Sequence, residues 1–257
     1  MRLASGPVLR ELLAREWRER YQGSVLGVGW LALLPLAQLA VLAFVFGTLL
    51  PARASSGSLP YPMFLALGLF PWLLFANAVN RGVTAYLDNA GLIARVPLPP
   101  SLYVHARVLG SVAVDFGGFV LVLAVLLAFG LRFDATGAIA AVGGLAVLAV
   151  MALALARIAA LLQVFVRDLA AVVGQVVGLG FFLSPVLYER AQLPGATAQA
   201  LGWNPLAAAI EAIRHGLSGE GALPWRALGV SALVAVALLL ASIALQRRAG
   251  RHLEDYL

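Results

Sequence analysis

Between Arg20 and Arg53 the sequence runs through thirty-two consecutive residues, 21–52, without a charge. As an α-helix rising about 1.5 Å per residue, that run would reach about 48 Å. The hydrocarbon core of a bilayer is roughly 30 Å thick. A secretory signal has an apolar core of only roughly 7–15 residues and a small-residue cleavage site. Twenty residues of mixed charge precede the run here, so it is expected to be an uncleaved first membrane span. The rest of the chain agrees. Hydrophobic residues make up 62% and charged residues 12%, whereas soluble domains have about 45–50% and 25%. With a mean hydropathy of +0.93, the chain is expected to be an all-α integral membrane protein forming one domain over residues 1–257.

Several chemistries are excluded by residue type. The chain has no cysteine, and all eighteen of its basic residues are arginine. Without cysteine there is no disulfide, thiolate nucleophile or thiolate metal ligand. Without lysine there is no P-loop, whose lysine grips the phosphates. Any use of ATP therefore falls to another chain, and this one is expected to bind no cofactor. His105, His215 and His252 are far apart, so no metal site is expected. The net charge of +6 does not point to nucleic acid, because the arginines flank apolar spans as topology signals do. The twelve acidic residues are scattered; only Glu254 and Asp255 adjoin. No catalytic group is expected, which weighs against a membrane enzyme acting on polyprenyl-linked glycans.

Residues 5–20 read as an amphipathic helix capped by Ser5, with Pro7 in its first turn. Leu9, Leu12, Leu13, Trp17 and Tyr21 share one face, and Glu11–Arg15 and Glu16–Arg20 form i,i+4 pairs on the other. Such a helix, occupying the segment 1–22, lies in a membrane interface. Six spans are expected at about 23–50, 60–81, 104–129, 138–165, 169–188 and 226–246. Placing the N-terminus inside leaves thirteen arginines on the inner segments and five on the outer ones. The positive-inside rule thus puts both termini in the cytoplasm. Residues 191–222 fall on the outer side. There 205–217 would form a helix too short to cross, with Leu206, Ile210, Ile213 and Leu217 on one face. Broken backbone of this kind suits a re-entrant element whose polar groups the protein satisfies.

Particular residues carry further expectations. Asp115 and Arg157 are intramembrane charges that must pair or face a polar cavity; separate polar partners or a structural pair are expected rather than a proton relay. Arg167 and Asp168 form a helix boundary, with Asp168 capping the fifth span. Glu211 and Arg214, at i,i+3, would bridge one another and steady the outer helix. Gly23/Gly27 and Gly174/Gly178 have the spacing of close helix packing. In the cytoplasmic segment 83–102, Asp88 or Asn89 would cap a short helix, and Pro97, Pro99 and Pro100 stiffen its exit.

Three blocks resemble one family. The first, "RYQGSVLGVGWLALLPLAQLAVLAFVF" at 20–46, has Arg20, Tyr21, Ser24, Leu26, Gly27, Trp30, Pro35, Phe44 and Phe46 in the pattern of the first span of polysaccharide ABC exporter permeases. The second is "VFVRDLAAVVGQVVGLGFFLSPVLY" at 164–188, and the third is "WNPLAAAIEAIRHGL" at 203–217. Their order and spacing are similar to the family's across nearly the whole chain. The resemblance implies a type-2 ABC permease with a cytoplasmic gate helix at 1–22, a coupling segment at 83–102 and an outer re-entrant gate at 191–222. Two copies would pair with two cytoplasmic ATPase subunits, which hold ATP and Mg. The cargo would be lipid-linked O-antigen, capsular polysaccharide or teichoic acid, moved across the bacterial inner membrane with or without periplasmic and outer-membrane partners. A drug or other small molecule is the alternative cargo.

The resemblance also assigns residues. Trp30, Phe44, Phe46, Phe181, Phe182 and Tyr188 would line the channel, since aromatic faces suit the apolar C–H faces of sugar rings. Lipid-facing aromatics are the plain alternative. Arg15, Trp17, Asp88, Asn89, Leu92 and Arg95 would face the ATPase. Arg167, Asp168, Asn204, Glu211 and Arg214 would belong to the gates or their supports.

Overall fold

Helix α3 (Tyr61–Val83) is the axis of the molecule. The computed structural model describes residues 5–21, 24–49, 55–56, 59–95 and 98–249. In α3, 72% of the most apolar 18-residue window is buried, against 22% in α11 (Trp225–Ala249). Its buried set includes Phe64, Leu67, Phe70, Trp72, Phe75 and Val79. Apolar residues on every side are what a helix surrounded by others requires. Helices α6 (Ser101–Ala128) and α7 (Ala135–Phe165) pack along it. These four, α3, α6, α7 and α11, are long and apolar enough to cross a membrane.

Two expected spans are shorter than the sequence suggests. The first reduces to a 3₁₀ turn at Gly27–Gly29, α2 at Trp30–Phe44 and a π-turn at Val45–Leu49. The fifth is α8 (Leu169–Phe182), which stops before Pro185 instead of running to 188. Proline disfavours helical geometry in the residue before it and has no N–H to donate, so the chain turns there. Glycines on α6 set the approach of the N-terminal helices. Beside Gly110 lie the side chains of Glu16 and Leu13 on α1 (Ser5–Tyr21), and beside Gly118 lies Pro35 of α2.

At one end of the bundle sit α1, α4 (Ala85–Asp88) and α5 (Ala90–Ile93). At the other are a two-residue pairing, Ser55–Ser56 with Leu59–Pro60, and the helices α9 (Gly195–Gly202) and α10 (Pro205–Ser218). Helix α10 does not lie flat on the surface. Ile210, Ile213 and Leu217 are buried, and so are Glu211 and Arg214. It is wedged against α3, α7 and α11.

That wedge depends on missing side chains. A Cβ at Gly144 of α7 would lie 2.6 Å from the Ala209 carbonyl oxygen and 2.7 Å from Ile213 Cγ1. Gly137 and Gly216 meet backbone to backbone nearby. Small residues let membrane helices approach in this way. The two expected packing pairs behave differently. Gly178 has open space before it and Gly174 only the Asn80 amide oxygen at 3.9 Å; Gly27 is likewise open, and Gly23 lies outside the described residues. Replacing Gly144 by Leu is expected to force α7 and α10 apart, at a cost of about 1–3 kcal/mol. A lowered melting temperature of the detergent-purified protein checks this; an unchanged one would mean that the contact is not a close one.

Candidate functional site

Where α8 ends, the chain leaves helical geometry and must find other donors for its carbonyls. Four side chains supply them. Tyr188 Oη donates to the Phe182 oxygen at 3.0 Å, and Asn204 Nδ2 donates to that of Leu183 at 3.1 Å. Arg214 donates to Pro185 at 2.7 Å and Val186 at 2.9 Å, and Tyr61 Oη donates to Leu187 at 2.7 Å. Asn204 also caps α10, its Oδ1 accepting from the Leu206 N–H at 3.0 Å, with Pro205 at the first helical position where proline is tolerated. The segment between α8 and α10 is thereby tied to α8 and α3.

The expected Glu211–Arg214 bridge does not form. Arg214 is committed to the two carbonyls, and its guanidinium carbon lies 3.7 Å from the centroid of the Phe64 ring. Glu211 instead holds Arg190, Oε1 and Oε2 each receiving a bond at 2.9 Å. A two-point contact to a rigid guanidinium fork outweighs an i,i+3 reach along one helix.

The opposite end has a second network. Glu16 of α1 accepts from Arg81 of α3 at 2.8 Å and from Arg107 of α6 at 2.8 Å. Arg107 also reaches Asp88 at 2.5 Å and the Thr84 hydroxyl at 3.1 Å. Glu16 thus faces the bundle rather than the polar side shared with Arg20, whose side chain lies outside the described residues. It follows Leu12 by four residues and Leu13 by three, a spacing that already marks the inward face. By contrast, Glu11 pairs with Arg18 at 3.1 Å on the open surface.

The docking residues separate accordingly. Asn89 stands at the start of α5 but does not cap it: its amide is buried and donates back to Ala85 at 2.9 Å. Asp88 is drawn to Arg107 and caps nothing. Leu92 leans on the core, Arg95 is exposed, and Arg15 and Trp17 lie on α1. Asp168 occupies the position before α8 without a capping bond, because its backbone is helical rather than extended. Arg167 is exposed and lends its carbonyl to Gln163 at 2.9 Å.

Asp115 and Arg157 draw on separate partners. Asp115 accepts from Asn77 Nδ2 and from Ser111 Oγ, each at 3.2 Å. Arg157 donates to His105 Nε2 at 3.0 Å and to Gln246, which in turn donates to Tyr86 Oη. His105 Nε2 is therefore the acceptor, and its Nδ1 carries the proton donated to the Ser101 oxygen at 2.5 Å. Burial pushes the Tyr86 hydroxyl up to about 12, so it stays protonated.

The aromatic set is dispersed. Trp30 Nε1 donates to Ser24 Oγ at 3.0 Å. Its ring borders a cleft of about 360 Å³ between α2, α3 and α6 that also holds Gln38, Asn77 and Asp115. Phe44 and Phe182 are exposed. Phe181 turns inward, its centroid 6.0 Å from that of Trp72 and 5.2 Å from that of Phe182. The side chain of Phe46 lies outside the described residues. No described residue of α2 or α8 is buried.

Three substitutions test this geometry. Glu16→Gln leaves Arg81 without its carboxylate and Arg107 with Asp88 alone, and is expected to cost about 3 kcal/mol. Glu11→Gln, at an exposed pair, should cost well under about 1 kcal/mol. Equal thermal shifts for the two would contradict the inward placement of Glu16. Arg214→Met strands two carbonyls at about 1–3 kcal/mol each, read as a loss of thermal stability in detergent.

The sequence comparisons point one way. Residues 7–217 match the family model described as ABC-2 type transporter. An O-antigen export system permease protein RfbA from Myxococcus xanthus is 30% identical over 199 residues, 76% of this chain and 73% of that protein. A protein of the same name from Klebsiella pneumoniae is 24% identical over 90% of this chain and 87% of its own length. The polysialic acid transport protein KpsM of Escherichia coli is 26% identical over 83% of this chain and 80% of its own. With its buried axis helix, wedged α10 and amphipathic N-terminal helix, the chain is a multi-pass membrane permease of the ABC-2 type transporter family.

Proposed function

We propose that this chain is the transmembrane subunit of an ATP-driven exporter that moves lipid-linked polysaccharide, O-antigen or capsular, across the bacterial inner membrane. The observation that carries the reading is the 30% identity to an O-antigen export permease along 73% of that protein. The chain has no lysine for a P-loop, so two cytoplasmic ATPase subunits would supply ATP and Mg.

In this reading α2 and α8 join the four long helices to make six spans, with both termini cytoplasmic. Two features support a homodimer with the channel at its centre. Helices α2 and α8 bury none of their described residues. On α8, Val172, Val176 and Leu179 form an exposed apolar stripe at helical spacing, beside the open Gly178. Lipid can cover such a stripe, but a glycine-flanked one also permits a second helix to approach. Phe44 and Phe182 then supply aromatic faces to the path. Weak contacts repeated along the way let a polymer slide, as ion conduction needs sites that release what they bind. Helix α1 is the gate at the cytoplasmic mouth, and α4–α5 with Arg95 offers the ATPase its docking surface.

Deletion of the chain in a background without other exporters is the test. The expected outcome is loss of surface polysaccharide with lipid-linked polymer accumulating inside the cell. Unchanged surface polysaccharide would overturn the reading and favour a small-molecule cargo.

A further inference from the structure

The cleft between α2, α3 and α6 has a composition unlike the bundle around it. Asp115 stands at the middle of α6, Asn77 on α3 and Gln38 on α2, all bordering one space of about 360 Å³. That volume is within the range of about 300–1,000 Å³ typical of small-molecule sites. Leu31 and Phe70 contribute apolar wall, and Trp30 closes the end nearest α1. Asn77 and Ser111 fix the orientation of the Asp115 carboxylate. Gln38 is exposed and makes no hydrogen bond among the described residues.

The chemistry narrows the occupant. An alkyl chain would leave a carboxylate and an amide facing hydrocarbon, which is costly. A divalent cation needs several hard oxygen ligands at once, and the cleft offers one carboxylate. A pyranose suits all of its parts. Hydroxyl groups donate to a carboxylate and both donate to and accept from a primary amide. The apolar C–H face of the ring covers an indole whose N–H is already held by Ser24.

We propose that this cleft is a saccharide subsite of the export path, with Trp30 as the stacking surface and Asp115 and Gln38 as the groups that select hydroxyls. The proposal rests on the export reading above. It places a recognition point inside each protomer, separate from the open faces of α2 and α8, and gives Asp115 a role in binding beyond its contacts to Asn77 and Ser111.

The test uses a strain whose surface polysaccharide disappears on deletion of this chain, complemented with Asp115→Asn or Gln38→Leu. Gln38→Leu removes no contact within the described protein, so it tests the site without a folding penalty. Surface polymer is expected to fall about tenfold for Asp115→Asn, the loss of one charge-assisted hydrogen bond. It should fall about threefold for Gln38→Leu, at unchanged protein levels.

A binding measurement accompanies it on the complete permease–ATPase complex in nanodiscs, labelled with 5-fluorotryptophan. The Trp30 resonance is identified by its loss in Trp30→Phe. The strain's own polysaccharide, released by mild acid and cut to short oligosaccharides, should shift that resonance saturably, and Asp115→Asn should weaken the titration about tenfold. Normal export by both variants together with an unmoved Trp30 signal overturns the subsite while leaving the export reading intact. Surface polysaccharide that survives the deletion itself overturns both.

Discussion

A carbonyl in hydrocarbon has to find a donor, and after Phe182 this chain stops providing one along its own helix. The oxygens of Phe182, Leu183, Pro185, Val186 and Leu187 are each met by a side chain from elsewhere. Much of that end of the bundle follows from that requirement. Arg214 can reach two of the oxygens only if α10 lies inside the bundle, and its guanidinium then passes so close to α3 that a Cβ at Gly68 would collide with it. With α10 that deep, α7 must approach it without side chains at Gly137 and Gly144. The glycines are thus consequences of the turn at Pro185. Arg190 completes the arrangement by neutralising Glu211, which would otherwise be a buried carboxylate on the same helix.

The other end is organised by charge. Glu16 receives two arginines from two different helices, and one of those, Arg107, also holds Asp88 and Thr84. Helices α1, α4 and α6 therefore meet at the Arg107 guanidinium, and Arg81 joins α3 to the same Glu16 carboxylate. In the export reading, α4–α5 is where an ATPase would dock and α1 is the gate. Arg107 joins the two elements directly, its Nε bonded to Glu16 and its Nη1 to Asp88. Equally strong bonds to water would dissolve such a link, but Glu16 and Arg107 are largely screened from it, with side-chain exposures of 11% and 15%.

Hydropathy made the four long helices legible in the sequence, because period and length are local properties. So was α10, whose apolar spacing and Asn204–Pro205 start mark a short helix. Pairings between distant segments were not. Glu211 has Arg214 within reach on its own helix, yet it is Arg190, twenty-one residues away, that offers two parallel bonds. Asp168 has the right identity for a cap but a helical backbone. Within the chain, close packing falls not on Gly174 and Gly178 but on Gly137 against Gly216 and on Gly144 against Ala209, contacts no local motif announces. The apolar stripe of α1 was legible, but the place of Glu16 was not: the i,i+4 pairing expected with Arg20 competes with its spacing from Leu12 and Leu13. A carboxylate on an apolar stripe implies basic partners on whatever the stripe packs against.

The two intramembrane charges show how depth decides partnership. Arg157 lies toward the end of α7, level with His105 near the start of α6 and Gln246 near the end of α11. Its described partners are neutral, and its Nε has none. Asp115 lies ten residues further along α6 than His105, about 15 Å at the rise of a helix, so a direct bridge would leave both groups reaching through packed apolar side chains. Each charge is satisfied locally instead. For Arg157 that means three helix ends fastened around one guanidinium. For Asp115 it means a carboxylate that borders the cleft and is oriented by Asn77 and Ser111. In the subsite proposed above, that is the arrangement from which it would accept hydroxyl donors.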